Sequence, residues 1–132
     1  MLCLLFLALA GLHVFWALSG RLGGSGVVPT IDGSPVMRPG KIGTLLVAAP
    51  LAAAAVVALW RGAWPGTRPS WVPGVGIWVI AVAFAARAVG DFRYVGLFKT
   101  VRGTVFARND TLVFSPLCLA ISWLAVWLAV FY

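Results

Sequence analysis

Six polar residues in or beside long apolar stretches are the candidates for chemistry in this sequence: His13, Trp16, Arg87, Asp91, Asp110 and Ser115. An arginine can hold an anionic group, and a neutral histidine can exchange a proton or hold a polar headgroup. Ionisable side chains within apolar spans usually face a bundle interior or a cavity. We therefore interpret these six residues as a candidate ligand-binding cluster.

Arg87 and Asp91 are four residues apart, so they share one face of a helix. Two interpretations stay open. Arg87 extends to lipid headgroups with Asp91 as its neutralising partner, or both face the bundle and bind a polar group. His13 is either a hydrogen-bonded packing residue or part of the site, and Trp16 follows on the same helix face.

Other chemistries find no support in the sequence. The single histidine and two distant cysteines, Cys3 and Cys118, do not make a metal-ligand set. There is no C-x-x-C pair for thiol–disulfide chemistry, and no motif calls for a cofactor. The sequence therefore predicts neither a metal nor a cofactor.

The composition indicates where these residues must sit. Hydrophobic residues make up 62% and charged residues 10% of the 132 residues, whereas a soluble domain carries about 25% charged residues. A water-exposed surface cannot be built from so few charges, so most of this surface must face lipid. We expect a single integral membrane domain over residues 1–132.

Four apolar runs predict four transmembrane helices, at about residues 1–18, 42–60, 71–90 and 112–132. Each is close to the ~20 residues needed to cross the hydrocarbon core. The first run lacks the basic start of a signal peptide, and Trp16 falls where small residues should precede cleavage, so we expect it to be retained. The predicted fold class is all-α, a four-helix transmembrane bundle.

Basic residues between the runs set the orientation. The first and third loops together carry seven Lys or Arg residues, and the second loop carries two, Arg61 and Arg68. By the positive-inside rule, the first and third loops are cytoplasmic and both termini are extracytoplasmic. The net charge of +7 is then explained by control of topology and by attraction to anionic lipid headgroups, rather than by nucleic-acid binding. The seven are Arg21, Arg38, Lys41, Arg93, Lys99, Arg102 and Arg108.

The same topology puts the polar side chains at similar depth. His13 lies about 12 Å, and Arg87 about 9 Å, inside the cytoplasmic boundary at ~1.5 Å per helical residue. Ser115, next to Pro116, lies at a depth similar to that of Arg87. The polar side chains therefore gather in one half of the membrane.

The loops carry local signals of their own. Asp32-Gly33 between short apolar stretches predicts a two-residue hairpin. In the third loop, Tyr94, Phe98, Val101 and Val105 recur at near-helical spacing and predict a short interfacial helix. Residues 109–111 offer capping side chains for the fourth helix.

Three segments resemble a known family: HVFWALSG (13–20), RAVGDFRYVGLFK (87–99) and FARNDTLVFSPLC (106–118). The family comprises small bacterial four-span membrane proteins catalogued only as a domain of unknown function. The resemblance implies a four-helix architecture and a bacterial inner membrane. It implies no established activity, so no catalytic residue is carried over.

The leading functional hypothesis is binding of a lipid or small amphipathic molecule, with Arg87 holding an anionic head. One alternative is an accessory or structural subunit of a membrane complex. The partner in such a complex would be another copy of this chain, in a homo-oligomer, or a different membrane protein. Another is a small membrane enzyme that acts on a lipidic substrate, with His13 and Asp91 as acid–base groups. A transporter subunit is the fourth, disfavoured because no acidic residue lies deep in any predicted span.

Overall fold

The computed structural model describes residues 1–20, 26–63 and 71–131, and within them it is built from long apolar helices. Four stretches are long and apolar enough to cross a membrane, which confirms the all-α bundle and the four spans. The elements in chain order are α1 (Leu2–Ser19), β1 (Thr30–Ile31), β2 (Ser34–Pro35), α2 (Lys41–Ala63), α3 (Trp71–Val89), α4 (Val105–Asn109), a π-helical turn (Asp110–Phe114) and α5 (Ser115–Phe131). Arg21 and Arg68 lie outside the described residues.

The first three spans begin and end close to their predicted limits, but the fourth does not. The π-helical turn joins α4 to α5, so the fourth span runs continuously over Val105–Phe131. It therefore begins seven residues before the predicted start at residue 112. The prediction of a cap at residues 109–111 is wrong, because Thr104 caps this helix by accepting a hydrogen bond from the Ala107 N–H.

The bundle consists of two helix pairs. α1 packs along α2, and α3 packs along α5, while α2 and α3 share a smaller contact. Phe6, Ile77, Ile121 and Ala125 are fully buried at the centre. We call this region, with the helix ends beyond it, the far half; the opposite end, which carries the loops 26–40 and 90–104, is the basic end.

Small residues bring the helices close together, as is usual where lipid removes the hydrophobic drive for association. Ala54, Ala55 and Ala58 are buried on α2, and Ala81 is buried on α3. α2 and α3 approach closely at Gly76, where a Cβ atom would lie 2.8 Å from Cγ1 of Val57. The two helices therefore touch at Val57 and Gly76 only because residue 76 has no side chain.

The hairpin predicted at Asp32-Gly33 is confirmed. Thr30 pairs with Pro35 and Ile31 pairs with Ser34 in an antiparallel ribbon. Asp32 and Gly33 have φ angles of 48° and 79°, as a two-residue type I′ turn requires.

The interfacial helix predicted from Tyr94 to Val105 is not formed. The structure describes all of residues 91–104, and they form irregular turns rather than a helix. Three residues adopt positive φ angles, Gly90 (87°), Phe92 (62°) and Gly96 (93°), which a right-handed helix cannot contain. The chain folds back on the end of α3, where the Leu97 N–H donates to the Ala88 carbonyl at 2.9 Å.

Gly90 and Gly96 make this fold-back possible. A Cβ atom at Gly90 would collide with the Val95 carbonyl oxygen, and one at Gly96 would collide with the Val89 carbonyl oxygen. Both glycines are needed for backbone proximity as well as for their positive φ angles. The near-helical spacing of apolar residues in this loop was therefore outweighed by two glycines six residues apart.

Candidate functional site

A buried carboxylate lies at the centre of the basic end. Asp110, in the first turn after α4, is 0% exposed. Its Oδ1 atom is 3.0 Å from Nη2 of Arg87, and its Oδ2 atom is 3.0 Å from Nζ of Lys99. Oδ2 also accepts hydrogen bonds from the Gly96 N–H at 2.7 Å and the Ser115 hydroxyl at 3.3 Å. Buried charges are tolerated when they are paired and hydrogen-bonded in this way.

Lys99 is the partner that the sequence did not reveal. It is 2% exposed, and a fully buried lysine is rare unless it is paired. Its Nζ atom donates to the Gly96 carbonyl at 2.8 Å and to Oγ1 of Thr111 at 2.6 Å, in addition to Asp110. The interfacial helix predicted for the third loop gave no indication that Lys99 would be buried, because the burial depends on the fold-back that replaces that helix.

Asp91 does not pair with Arg87. Within the described residues, the ion pair of Arg87 is with Asp110, which lies 23 residues further along the chain. Oδ1 of Asp91 instead accepts hydrogen bonds from the backbone N–H groups of Arg93, Tyr94 and Val95, at 2.7 to 2.9 Å. The residue therefore holds the start of the fold-back loop, and the four-residue spacing was misleading because α3 ends at Val89.

These hydrogen bonds also affect the acidity of Asp91. Desolvation acts to raise the pKa of its carboxyl group, but the N–H groups of Val95, Arg93 and Tyr94 outweigh it. The pKa of Asp91 therefore lies below its ordinary value, because the N–H donors favour the ionised form.

A chamber of about 400 Å³ opens at the basic end, and its mainly apolar wall holds a few charged and polar side chains. His13, Trp16, Arg87 and Asp91 all line it, so four of the six predicted site residues meet at one cavity. The remaining walls come mainly from the loop 26–40, the start of α2 and the fold-back loop. Loop 26–40 is attached to the fourth span, since the Asn109 side-chain amide donates to the Gly26 carbonyl at 3.1 Å.

His13 has a defined orientation in this chamber. Its Nδ1 atom lies 2.7 Å from the Leu9 carbonyl oxygen. A carbonyl oxygen can only accept, so Nδ1 carries a proton, and in the neutral ring Nε2 is the acceptor. The Trp16 ring packs edge-on against the imidazole with ring centres 5.3 Å apart. The chamber wall thus presents a hydrogen-bond acceptor at His13, whose ring is held in place by Trp16.

A second cavity lies next to the chamber, in the membrane-spanning region. It is an apolar groove of about 720 Å³ that runs between α2 and α3, with α1 and α5 behind it. The groove and the chamber share five lining residues, so the two cavities are adjacent. The shared residues are His13, Val27, Val47, Arg87 and Phe106.

Arg87 lies where the two cavities meet. Its side chain is 37% exposed, and one arm of the guanidinium group is occupied by Asp110. The Nη1 atom of the other arm is buried and makes no hydrogen bond to the described part of the chain. Buried donors normally have partners, so this nitrogen is an unsatisfied hydrogen-bond donor.

Asp110 and Ser115 have a different environment from the other four predicted site residues. Both are fully buried, and neither is among the lining residues of the chamber or the groove. Their side chains contact the charged groups behind Arg87 instead. The cluster predicted as one site is therefore divided into a cavity wall and a supporting network.

Four apolar spans with a charged network at one end define the class as a multi-pass membrane protein. The chain belongs to a protein family of unknown function, DUF3995, whose family model matches residues 6–125. No curated protein and no solved structure matches the chain. The three segments that carried the resemblance all lie in the matched range, and each of them contributes to the site described above.

Proposed function

We propose that the protein binds a lipid-like amphiphile that carries one singly charged anionic head and one alkyl tail. The head lies in the chamber against Arg87, and the tail lies in the apolar groove between α2 and α3. With the orientation expected from the basic loops, the site opens to the cytoplasmic leaflet of a bacterial inner membrane.

The observation that carries this proposal is the adjacency of the two cavities, which share five lining residues. A chamber that holds charged side chains, next to a groove that is almost entirely apolar, suits a molecule with a charged head and an apolar tail. The groove alone would suit any hydrocarbon chain, and the chamber alone any small polar molecule. Arg87 lies at the junction of the two, at the position where the head of such a molecule would join its tail.

The charges favour a head with a single negative charge. Arg87 and Lys99 are offset by Asp110 and by Asp91, which also lines the chamber. The positive charge of Arg87, whose side chain is 37% exposed, attracts an anion, while the carboxylate of Asp91 repels a second negative charge. A carboxylate or a phosphodiester meets both conditions, and His13 offers an acceptor for any hydroxyl group on the head.

The acid–base alternative draws less support from the same geometry. His13 and Asp91 line one chamber, but Oδ1 of Asp91 is engaged by three backbone N–H groups. A carboxylate that holds a loop in this way is better suited to a structural role than to proton transfer.

The test is binding of dodecanoate, with dodecanol as the uncharged probe, to the purified protein in lipid nanodiscs by native mass spectrometry. We expect the wild type to prefer dodecanoate. Arg87→Gln should reduce this preference roughly 10- to 100-fold, as expected for loss of a charged hydrogen bond of about 1.5–3 kcal/mol. Arg93→Gln is the matched control, because Arg93 is exposed and does not line the chamber.

A second variant protects the test against loss of fold, since Arg87 also supports Asp110. Gly43 lines the chamber, and a Cβ atom there meets nothing within 4 Å. Gly43→Trp should therefore fill the chamber and prevent binding without disturbing the charged network. Equal binding of dodecanoate and dodecanol by the wild type, or unchanged binding by both variants, would overturn the proposal.

A further inference from the structure

The apolar groove has two fixed ends, and the distance between them limits what it can hold. We infer that the groove selects the length of the alkyl tail, and that the contact between Val57 and Gly76 sets the upper limit at about a dozen carbons. This inference rests on the proposed function, because it concerns the tail of the same ligand.

The floor of the groove is the point where α2 and α3 meet. Val57 and Gly76 are the groove-lining residues furthest from the basic end on their two helices. There the helices approach so closely that a Cβ atom on Gly76 would lie 2.8 Å from Val57. Val57 and the backbone at Gly76 are therefore in van der Waals contact and leave no space for a methylene chain. A tail cannot pass between the helices beyond this point.

The length of the groove follows from helix geometry. On α3, Gly76 and Arg87 are eleven residues apart, which is about 16 Å at ~1.5 Å per residue. On α2, Val47 and Val57 are ten residues apart, or about 15 Å by the same rise. All four residues line the groove, so two independent helices give the same length.

That length converts to a number of carbons. With a C–C bond of about 1.52 Å and a bond angle of about 111°, an extended chain advances roughly 1.25 Å per carbon. A groove of 15 to 16 Å therefore holds about 12 or 13 carbons between Arg87 and the floor. A longer tail must bend out past Val79, which is exposed on the open side of the groove, and the extra carbons gain no contact with the protein.

The experiment compares octanoate, dodecanoate and hexadecanoate at equal mole fraction in the same nanodiscs, so that partition into the bilayer does not enter the ratio. In the wild type, binding should rise from octanoate to dodecanoate and not rise further to hexadecanoate. Val57→Ala should open the floor and increase the ratio of hexadecanoate to dodecanoate by about threefold, the order expected from a few additional packed methylene groups.

Two further variants make the comparison specific. Ala53 lines the groove one turn from the floor, so Ala53→Leu should shift the preference in the opposite direction, toward octanoate. Val56→Ala is the matched control, because Val56 is next to Val57 in the chain but is 63% exposed and does not line the groove. Ala53→Leu also keeps the test decisive if Val57→Ala does not fold.

The outcomes separate this inference from the proposal on which it rests. If the wild type binds none of the three carboxylates, the proposed function fails and the inference fails with it. If the wild type binds them but Val57→Ala and Ala53→Leu leave their ratios unchanged, the limit on tail length is wrong and the proposed function stands.

Discussion

The two ends of the bundle are held together by different forces. In the far half, Phe6, Ile77 and Ile121 pack without exposure to the surroundings, and the interactions are almost entirely apolar. At the basic end, Asp110 and Lys99 are equally buried, but they are joined by charge and hydrogen bonds. Both arrangements fill the space between helices, and only the second specifies which atoms must meet.

This difference matters in a bilayer. Lipid tails are as apolar as leucine, so contacts in the far half gain mainly from close packing. Directional bonds to Asp110 tie α3, the fold-back loop and the fourth span to one another in a fixed arrangement. We infer that the far half supplies general cohesion, while the basic end fixes the rotation of α3 and the fourth span relative to each other.

The largest loss of stability is expected for Asp110→Asn. It leaves Arg87 and Lys99 without a counter-charge, and removal of one partner from a buried ion pair costs about 3–5 kcal/mol. We expect a loss of this size in the free energy of unfolding, measured by denaturation in detergent micelles. Asp32→Asn, in the exposed hairpin turn, is the control and should be neutral.

A double variant separates charge from shape at the same site. Lys99→Met combined with Asp110→Asn removes one positive and one negative charge, so it should recover part of the stability lost in Asp110→Asn alone. If the single variant proves as stable as Asp32→Asn, the basic end does not depend on this ion network.

The far half should respond to volume rather than to charge. Ala125 is fully buried on α5, and Ala125→Leu should separate the helices at a cost of about 1–3 kcal/mol for overpacking. Ala120→Leu on the exposed face of α5 is the matched control and should change little. Thermal unfolding of the two variants in the same detergent gives the comparison, and equal midpoints would show that this interface is not close-packed.

Asp91 offers a smaller effect with a defined dependence on pH. Asp91→Ala removes the acceptor for three backbone N–H groups, and loss of such hydrogen bonds costs about 1 kcal/mol. Because the pKa of Asp91 is lowered in the folded protein, its contribution is complete above the ordinary value of 3.8 and is lost as pH falls through the lower folded value.

The measurement is the difference in unfolding midpoint between wild type and Asp91→Ala, followed from pH 7 downward. The difference should be constant through the neutral range and shrink only in strong acid. A difference that grows on acidification would contradict the role of ionised Asp91 as the acceptor for these N–H groups.

The smallest effect is expected for Ser122→Ala in the far half. The Ser122 hydroxyl donates to the Ala81 carbonyl at 2.8 Å and links α5 to α3. Such bonds between membrane helices average about 0.6 kcal/mol, so the loss should be only slightly larger than the error of an unfolding titration. A loss comparable with that of Asp110→Asn would remove the distinction between the two halves.

The sequence predicted the spans well because each is a long apolar run, and the hairpin because Asp32-Gly33 is a local signal. It also singled out His13, Trp16, Arg87 and Asp91, which line one cavity, since polar side chains in apolar surroundings are conspicuous; their role in binding stays a prediction. It did not predict the pairing of Arg87 with Asp110 or the burial of Lys99. Those contacts depend on a chain reversal at Gly90 and Gly96, and spacing along one helix cannot show them.

The π-helical turn at the start of the fourth span has a further consequence. Its Ser115 N–H reaches back to the Asp110 carbonyl, one residue further than in an α-helix, and this wider turn directly precedes Pro116, which an α-helix would accommodate poorly. An inserted residue advances a helix by about 100°. Deleting one exposed residue, such as Val113, would leave a regular helix but swing Asp110 about a quarter-turn away from Lys99. The phase of this single turn, rather than the identity of any one side chain, thus aligns the charged residues of the fourth span with those of the third.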